Sequence, residues 1–206
     1  MTLSLIIPVY NEIDQLDYTL TKLNKLKNKI NKIEFIFIDD FSSDNTFKYL
    51  KKYSKNKKFI KLFRNKKKGL GSAIQEGIKK SKFDYVCIFM CDMSDDIKDV
   101  IKYYKLINKK KIDAVLGSRF IYKSKVKNYP LIKLVINRIA NNLIKIIFLS
   151  KYNDFTNAFK IYDRKVLLKF LPIVSESFNV FLELPLKIIT RGYKYEIIPI
   201  TWSGRM

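Results

Sequence analysis

"IEFIFIDDFSSDNT" (33–46) is an apolar, β-branched run that ends in two adjacent acids and then turns into residues that open helices. A strand with almost no polar alternation is buried on both faces, which is the signature of a parallel sheet covered by helices. The same pattern recurs outward from it, at "LSLIIPV" (3–9), "FIKLF" (59–63), "DYVCIFM" (84–90) and "DAVLGS" (113–118). Between these runs, helical spacing predicts helices near 12–29, 45–55, 70–81 and 95–108. Strands alternating with helices imply βαβ units, hence an α/β fold with a Rossmann-like, mostly parallel sheet flanked by helices. With 206 residues, 48% of them hydrophobic, the chain is large enough for one domain with a full core. After residue 120 the pattern becomes helices joined by short loops, with one late strand-like piece at 195–200.

In open sheets of this kind ligands bind beyond the carboxyl ends of the strands, so the residues following each strand are the ones to inspect. Asp39 and Asp40 stand at such an end, where carboxylates commonly accept hydrogen bonds from a base edge or a ribose hydroxyl. Ser43 or Asp44 is suited to cap the helix that follows. In "GLGSAIQEG" (69–77), Gly69 and Gly71 would let the backbone approach a ligand closely, ahead of a helix N-terminus. Asp92 follows a buried strand directly, and Mg²⁺ or Mn²⁺ needs only one or two carboxylates when water and substrate phosphates complete its shell. Ser94 is the expected cap of the next helix, with Asp95 and Asp96 in its first turn. Arg119, just past another strand, has a fork suited to a phosphate, with a surface ion pair as the plainer reading. Asp154 and Asn157 sit beside aromatics in "DFTNAFK" (154–160), and Glu183 lies in an otherwise apolar helix where a charge needs a partner.

Composition removes several chemistries. The chain has no histidine, which excludes Ser-His-Asp and Cys-His catalysis and His-containing zinc sites. Its two cysteines, Cys87 and Cys91, support neither a disulfide framework nor a zinc site, and a reducing cytoplasm suits them. The net charge of +22 points to an anionic partner or to a solvated, compositionally biased surface. "MTLSLIIPVYNE" reads as lacking a signal peptide, and no charge-free stretch reaches the ~18 residues that span a bilayer, so a soluble or peripheral protein is expected. Residues 130–149 carry Lys133, Asn137, Asn141 and Lys145 along one helical face and Leu, Ile, Val and Phe on the other. Either that helix lies in a membrane interface with its basic side towards lipid phosphates, or it packs on the sheet with a wet outer face.

Taken in order, "IIPVYNE", "FIDDFSSDNT", "GLGSAIQEG", "CDMSDD", "VLGSRF", "DFTNAFKIY" and "WSGR" resemble glycosyltransferase family 2, most closely its dolichyl- or polyprenyl-phosphate sugar synthase branch. The resemblance implies a type-A glycosyltransferase fold in one domain over 1–206, with a nucleotide-sugar half at 1–120 and a mostly helical acceptor half at 121–206. It implies that Pro8, Tyr10, Glu12 and Asp40 hold the nucleoside, with Asp39 supporting and Gly71 close to the donor. Asp92 matches the second aspartate of the family's DxD metal motif, whereas Met90 replaces the first, so metal affinity without nucleotide is expected to be weak. Arg119 and Lys133 match acceptor-phosphate positions, Asp154 a catalytic-base position, and Arg205 an arginine near the pyrophosphate or acceptor. Family members usually continue beyond that arginine, so the end at Met206 is open to two readings, a natural end or a truncation.

The implied reaction is an inverting, Mg²⁺- or Mn²⁺-dependent transfer of a hexose from a GDP-mannose- or UDP-glucose-type donor. The acceptor would be a polyprenyl phosphate at an anionic membrane, with the enzyme peripheral on the cytoplasmic face and no nucleic acid expected. A phosphate monoester with a second pKa of ~6 needs little deprotonation, so Asp154 would orient more than it would act as a base. Two alternatives stand beside this: a soluble transferase acting on a saccharide hydroxyl, for which a base matters more, and a non-catalytic basic module binding nucleic acid or membrane.

Overall fold

The computed structural model describes residues 2–204. The predicted alternation is present: β1 (Leu3–Val9), α1 (Ile13–Lys27), β2 (Ile33–Asp39), α2 (Thr46–Ser54), β3 (Ile60–Arg64), α3 (Leu70–Lys80), β4 (Tyr85–Ile88), α4 (Ile97–Lys110) and β5 (Ala114–Ser118). The chain continues with β6 (Lys125–Lys127), α5 (Leu131–Ile147), β7 (Lys160–Asp163), α6 (Arg164–Lys169), α7 (Val180–Thr190), β8 (Tyr195–Pro199) and β9 (Thr201–Ser203). The main sheet has the order β3-β2-β1-β4-β7-β5-β8, and β6 pairs with β9.

The burial logic is visible residue by residue. Leu3, Leu5, Ile7 and Val9 face one core with α1 and α4, while Ile6 between them faces a second core with α3, α6 and α7. Both faces of β1 and β2 are covered, so every residue of either strand is buried. Helix α3 lies directly on β1, and a Cβ on Gly77 would come within 2.4 Å of the Ile6 side chain. Cys87 and Cys91 are buried thiols outside any disulfide, consistent with small apolar packing residues.

The sequence pattern did not show β7. "KIYD" (160–163) enters the middle of the sheet antiparallel to both β4 and β5, so the second half of the chain, expected to add one late strand, adds β6 to β9. Short apolar runs do not distinguish strand from helix, and this one is followed at once by the Asp163 cap of α6.

Helix α5 does not pack on the sheet through its apolar side. Its inward side is largely polar: Asn137 and Asn141 donate to the Thr156 hydroxyl at 2.8 and 3.1 Å, Asn141 is its one fully buried residue, and Ile144 packs against the second core. Ile132, Ile136, Ile139, Leu143 and Ile146 are each more than half exposed. One of the two expectations, a helix packed on the sheet, put the apolar side against the core. Here that side is the outer face, which overturns the reading of a helix packed on the sheet with a wet outer face, and Lys133 and Lys145 are exposed as well. No helix among the described residues is long and apolar enough to cross a membrane.

Candidate active site

Strand register brings the acids together. Val9 pairs with Asp39, so β1 and β2 end at one level, and Phe89 leaves β4 beside Ile6. Two adjoining cavities open at these ends. The first, about 430 Å³, is lined by Pro8, Tyr10, Glu12, Asp40, Gly69 and Met90, with Glu176 to Phe178 opposite. The second, about 630 Å³, shares Glu12 and adds Asp14, Tyr18, Asp92, Ser203 and Gly204.

Asp40 is fixed by its neighbours. Its carboxylate accepts from the Gly69 N–H at 2.9 and 3.1 Å and from Asn65 Nδ2 at 2.8 Å. Asn65, the first residue after β3, was not singled out from the sequence although it stands at a strand end. It also donates to the Gly69 carbonyl and accepts from Ser72, tying the turn to Asp40. Asp39 is fully buried, lines neither cavity, and has no hydrogen bond to its carboxylate, with Arg64 3.8 Å away. The 42–44 turn is held by Asn11, whose Oδ1 accepts from Ser43 N at 2.8 Å and Asp44 N at 3.3 Å. Helix α2 starts after Asn45, with Asp44 accepting from Thr46 N rather than serving as the cap itself.

The glycines require a different explanation from the expected one. Gly69 has φ +135°, a conformation that side chains disfavour. A Cβ on Gly71 would lie 1.8 Å from the Ser175 carbonyl oxygen, so the close approach at Gly71 is made by the chain's own 175–176 backbone and not by a ligand.

Asp92 is part-exposed at the second cavity and accepts from Ser94 N at 3.0 Å. Met90 packs against the second core and lines the first cavity. Among the described residues no cluster of three acids or cysteines is arranged to hold a metal. Without such a cluster, Asp92 fits Mg²⁺ or Mn²⁺ only where ligand phosphates and water supply most of the oxygens. The cap of α4 is Asp96, not Ser94, with its side chain accepting from Lys98 N. Asp95, expected in the first turn, is instead buried ahead of the helix. Burial, then the neighbouring Asp92 charge, pushes its carboxyl up to about 8.

Arg119 is neither on the surface nor open to a ligand on all sides. Its Nε and Nη2 donate to Asp154 at 2.9 and 2.6 Å, and its backbone N–H donates to the same carboxylate at 2.8 Å. Asp154, expected as a base, is fully buried in this pair. Burial opposes the arginine's charge, but the Asp154 hydrogen bonds outweigh it and hold the guanidinium firmly protonated. Phe120, Tyr129 and Trp202 surround the guanidinium at 5.2–5.5 Å. Lys133 is exposed in the first turn of α5 and lines neither cavity. Arg205 lies outside the described residues.

Lys160 was not anticipated. Its ammonium donates to the carbonyls of Phe155, Asn157 and Phe181. Pro185 inside α7 has no N–H for the carbonyl four residues earlier, and Lys160 occupies that Phe181 oxygen. Burial lowers its pKa to about 7.

Similarity to known proteins agrees with this geometry. Residues 4–171 match the model of glycosyl transferase family 2. The chain is 29% identical over 138 residues to a dolichol-phosphate mannosyltransferase of Pyrococcus furiosus, covering 67% of this chain and 39% of that protein. It is 36% identical over 116 residues to a poly-beta-1,6-N-acetyl-D-glucosamine synthase of Staphylococcus aureus, covering 56% of this chain and 27% of that protein. The chain therefore spans well under half of these curated relatives. Among solved structures, glucosyl-3-phosphoglycerate synthase from Mycobacterium tuberculosis with Mn²⁺, UDP and glucosyl-3-phosphoglycerate superposes with a TM-score of 0.74 at 15% identity, over 100% of this chain and 71% of that one. S. aureus TarS 1-349 gives 0.68 at 18% identity, over 98% and 60%. These likenesses make the fold the type-A glycosyltransferase fold. The family match runs through all the strand ends from β1 to β5 that carry the acids, and the chain belongs to glycosyl transferase family 2.

Proposed function

We propose that the protein transfers a hexose from a nucleotide-diphosphate sugar to a polyprenyl phosphate at an anionic membrane surface. The observation that carries the lipid reading is the way α5 is fastened. Thr156 accepts from Asn137 and Asn141 of α5 and also from Arg119 Nη2 at 3.2 Å, so the helix with the exposed apolar face is anchored to the arginine assigned to the acceptor phosphate. An amphipathic helix of this kind binds in a bilayer interface through its apolar side, and the net charge of +22 favours an anionic leaflet.

In this reading the first cavity takes the nucleoside, with Asp40 held rigid by Gly69 and Asn65 to accept a base or ribose hydrogen. Asp92 would hold a Mg²⁺ or Mn²⁺ ion together with the donor pyrophosphate. Such an ion supplies electrophilic stabilisation of the departing diphosphate. The acceptor oxygen attacks the anomeric carbon in line with the leaving diphosphate, a single displacement with inversion. Asp154 keeps Arg119 charged and fixed, leaving its Nη1 edge uncommitted to that pair, and a dianionic phosphate acceptor requires no base.

A saccharide hydroxyl acceptor is favoured by one feature, the Glu12 and Asp14 carboxylates in the wall of the second cavity, which suit a neutral polyol better than an anion. One experiment separates the two. The purified protein is incubated with Mn²⁺ or Mg²⁺, a panel of UDP- and GDP-sugars and a short polyprenyl phosphate, and the lipid is read by mass spectrometry. A one-hexose mass increase, absent in Asp92→Asn and without metal, supports the proposal. Metal-dependent donor binding without lipid glycosylation supports the saccharide acceptor.

A further inference from the structure

One wall of the first cavity is not built from strand ends. Glu176, Ser177 and Phe178 belong to the 172–179 segment between α6 and α7, which contains no helix or strand of its own. Its position depends on side chains from elsewhere. Glu183, in the first turn of α7, accepts from the backbone N–H of Val174 at 3.1 Å and of Ser175 at 2.7 Å. Gln75 of α3 accepts from Ile173 N at 2.7 Å. The segment in turn accepts from Gly71 N through the Glu176 carbonyl at 3.0 Å and lies on the bare backbone of Gly69 and Gly71. Gly69 N is a donor to Asp40. An unbroken series of contacts therefore runs from Glu183 through 174–176 and the glycine turn to Asp40.

Glu183 is a sound anchor because it is itself held. Lys187, one turn later, donates to it at 2.5 Å and also to the Phe170 carbonyl at 3.0 Å. This answers what a charge is doing in an apolar helix, since two backbone donors and an ammonium converge on it.

We infer that Glu183 is a positioning residue for donor binding, acting through the 173–176 backbone to seat the wall of the nucleoside cavity against Gly69 and Gly71. The inference rests on the assignment of that cavity to the donor. It involves no contact between Glu183 and the nucleotide, so its effect belongs to donor affinity and not to the chemical step.

The test compares wild type with Glu183→Gln and Gln75→Ala in three readouts. Calorimetry with UDP and GDP measures nucleotide affinity, chymotrypsin cleavage after Phe178 measures how firmly the segment is seated, and a thermal melt confirms folding. Phe178 is 70% exposed, so the bond is reachable once the segment loosens. We expect Glu183→Gln to weaken the bound nucleotide about tenfold, the size of one charge-assisted hydrogen bond, and to accelerate cleavage. Gln75→Ala should do both to a smaller extent. In turnover the donor KM should rise while the acceptor KM and the kcat at saturating donor stay within twofold. A folded Glu183→Gln with wild-type affinity and cleavage rate overturns the inference. Wild-type protein that binds neither nucleotide overturns the cavity assignment instead, while cleavage still reports whether Glu183 holds the segment.

Discussion

Replacing Asp154 with Asn tests whether the Arg119 pair organises the site. Both side chains are buried, at 7% and 0% exposure, and three hydrogen bonds from Arg119 reach the one carboxylate. The substitution keeps shape and one acceptor oxygen but leaves a guanidinium charge in a buried site walled by aromatic rings. Breaking a buried pair from one side costs about 3–5 kcal/mol. For a domain of this length each kcal/mol lowers Tm by roughly 2–4 °C, so a fall of roughly 6–20 °C is expected. The measurement is thermal unfolding by circular dichroism, at a pH where the wild type melts reversibly. A double variant, Arg119→Met with Asp154→Leu, removes the stranded charge and should recover much of the loss. An Asp154→Asn protein less than about 1 kcal/mol below wild type would refute the reasoning, because it would mean that the arginine relaxes to water at little cost.

Met90→Asp restores an acid at the first position of the metal loop and should raise Mn²⁺ affinity in the absence of nucleotide, measured by calorimetry; unchanged affinity would mean that the side chain stays packed in the second core. Lys160 has a folded pKa of about 7 against an ordinary 10.5, so between these values the unfolded chain binds more protons and stability rises with pH. In Lys160→Met that rise should be missing from urea titrations across the same window. For Glu183, burial alone would raise the pKa, but hydrogen bonds from Lys187 and Ser175 hold it to about 2. Its stabilisation is therefore present above pH 4.5 and disappears as pH falls towards 2, and Glu183→Gln should flatten that acid limb. Ile139→Lys with Leu143→Lys, both 56% exposed, should abolish sedimentation with anionic vesicles while leaving Tm within about 2 °C of wild type; unchanged sedimentation would remove α5 from the membrane contact.

Much of the site was legible because its residues are local to strand ends. The strands announce themselves by unbroken apolar runs, and Asp40, Glu12 and Asp92 lie in the loops just beyond them, so the strand-end rule led to loops that line the two cavities. Asn65 was within reach of the same rule, and a polar residue next to a strand end is the signal that would have found it. Arg119 and Asp154 were both noticed, but as separate ligands, since nothing in the spacing says that residues 35 apart form one buried pair. Lys160 gave no signal at all, because its partners are backbone carbonyls, one of them exposed by a proline in another helix.

The layered α/β architecture and the level at which the acids emerge can be read along the chain, because period and burial are properties of short stretches that need no knowledge of partners. The covered face of α5, the insertion of β7 between β4 and β5 and the room that Gly71 makes for Ser175 emerge from the folded domain alone. An amphipathic pattern states that a helix has two faces, not what lies against each. Contacts between segments distant in the chain are set by the packing of the whole domain.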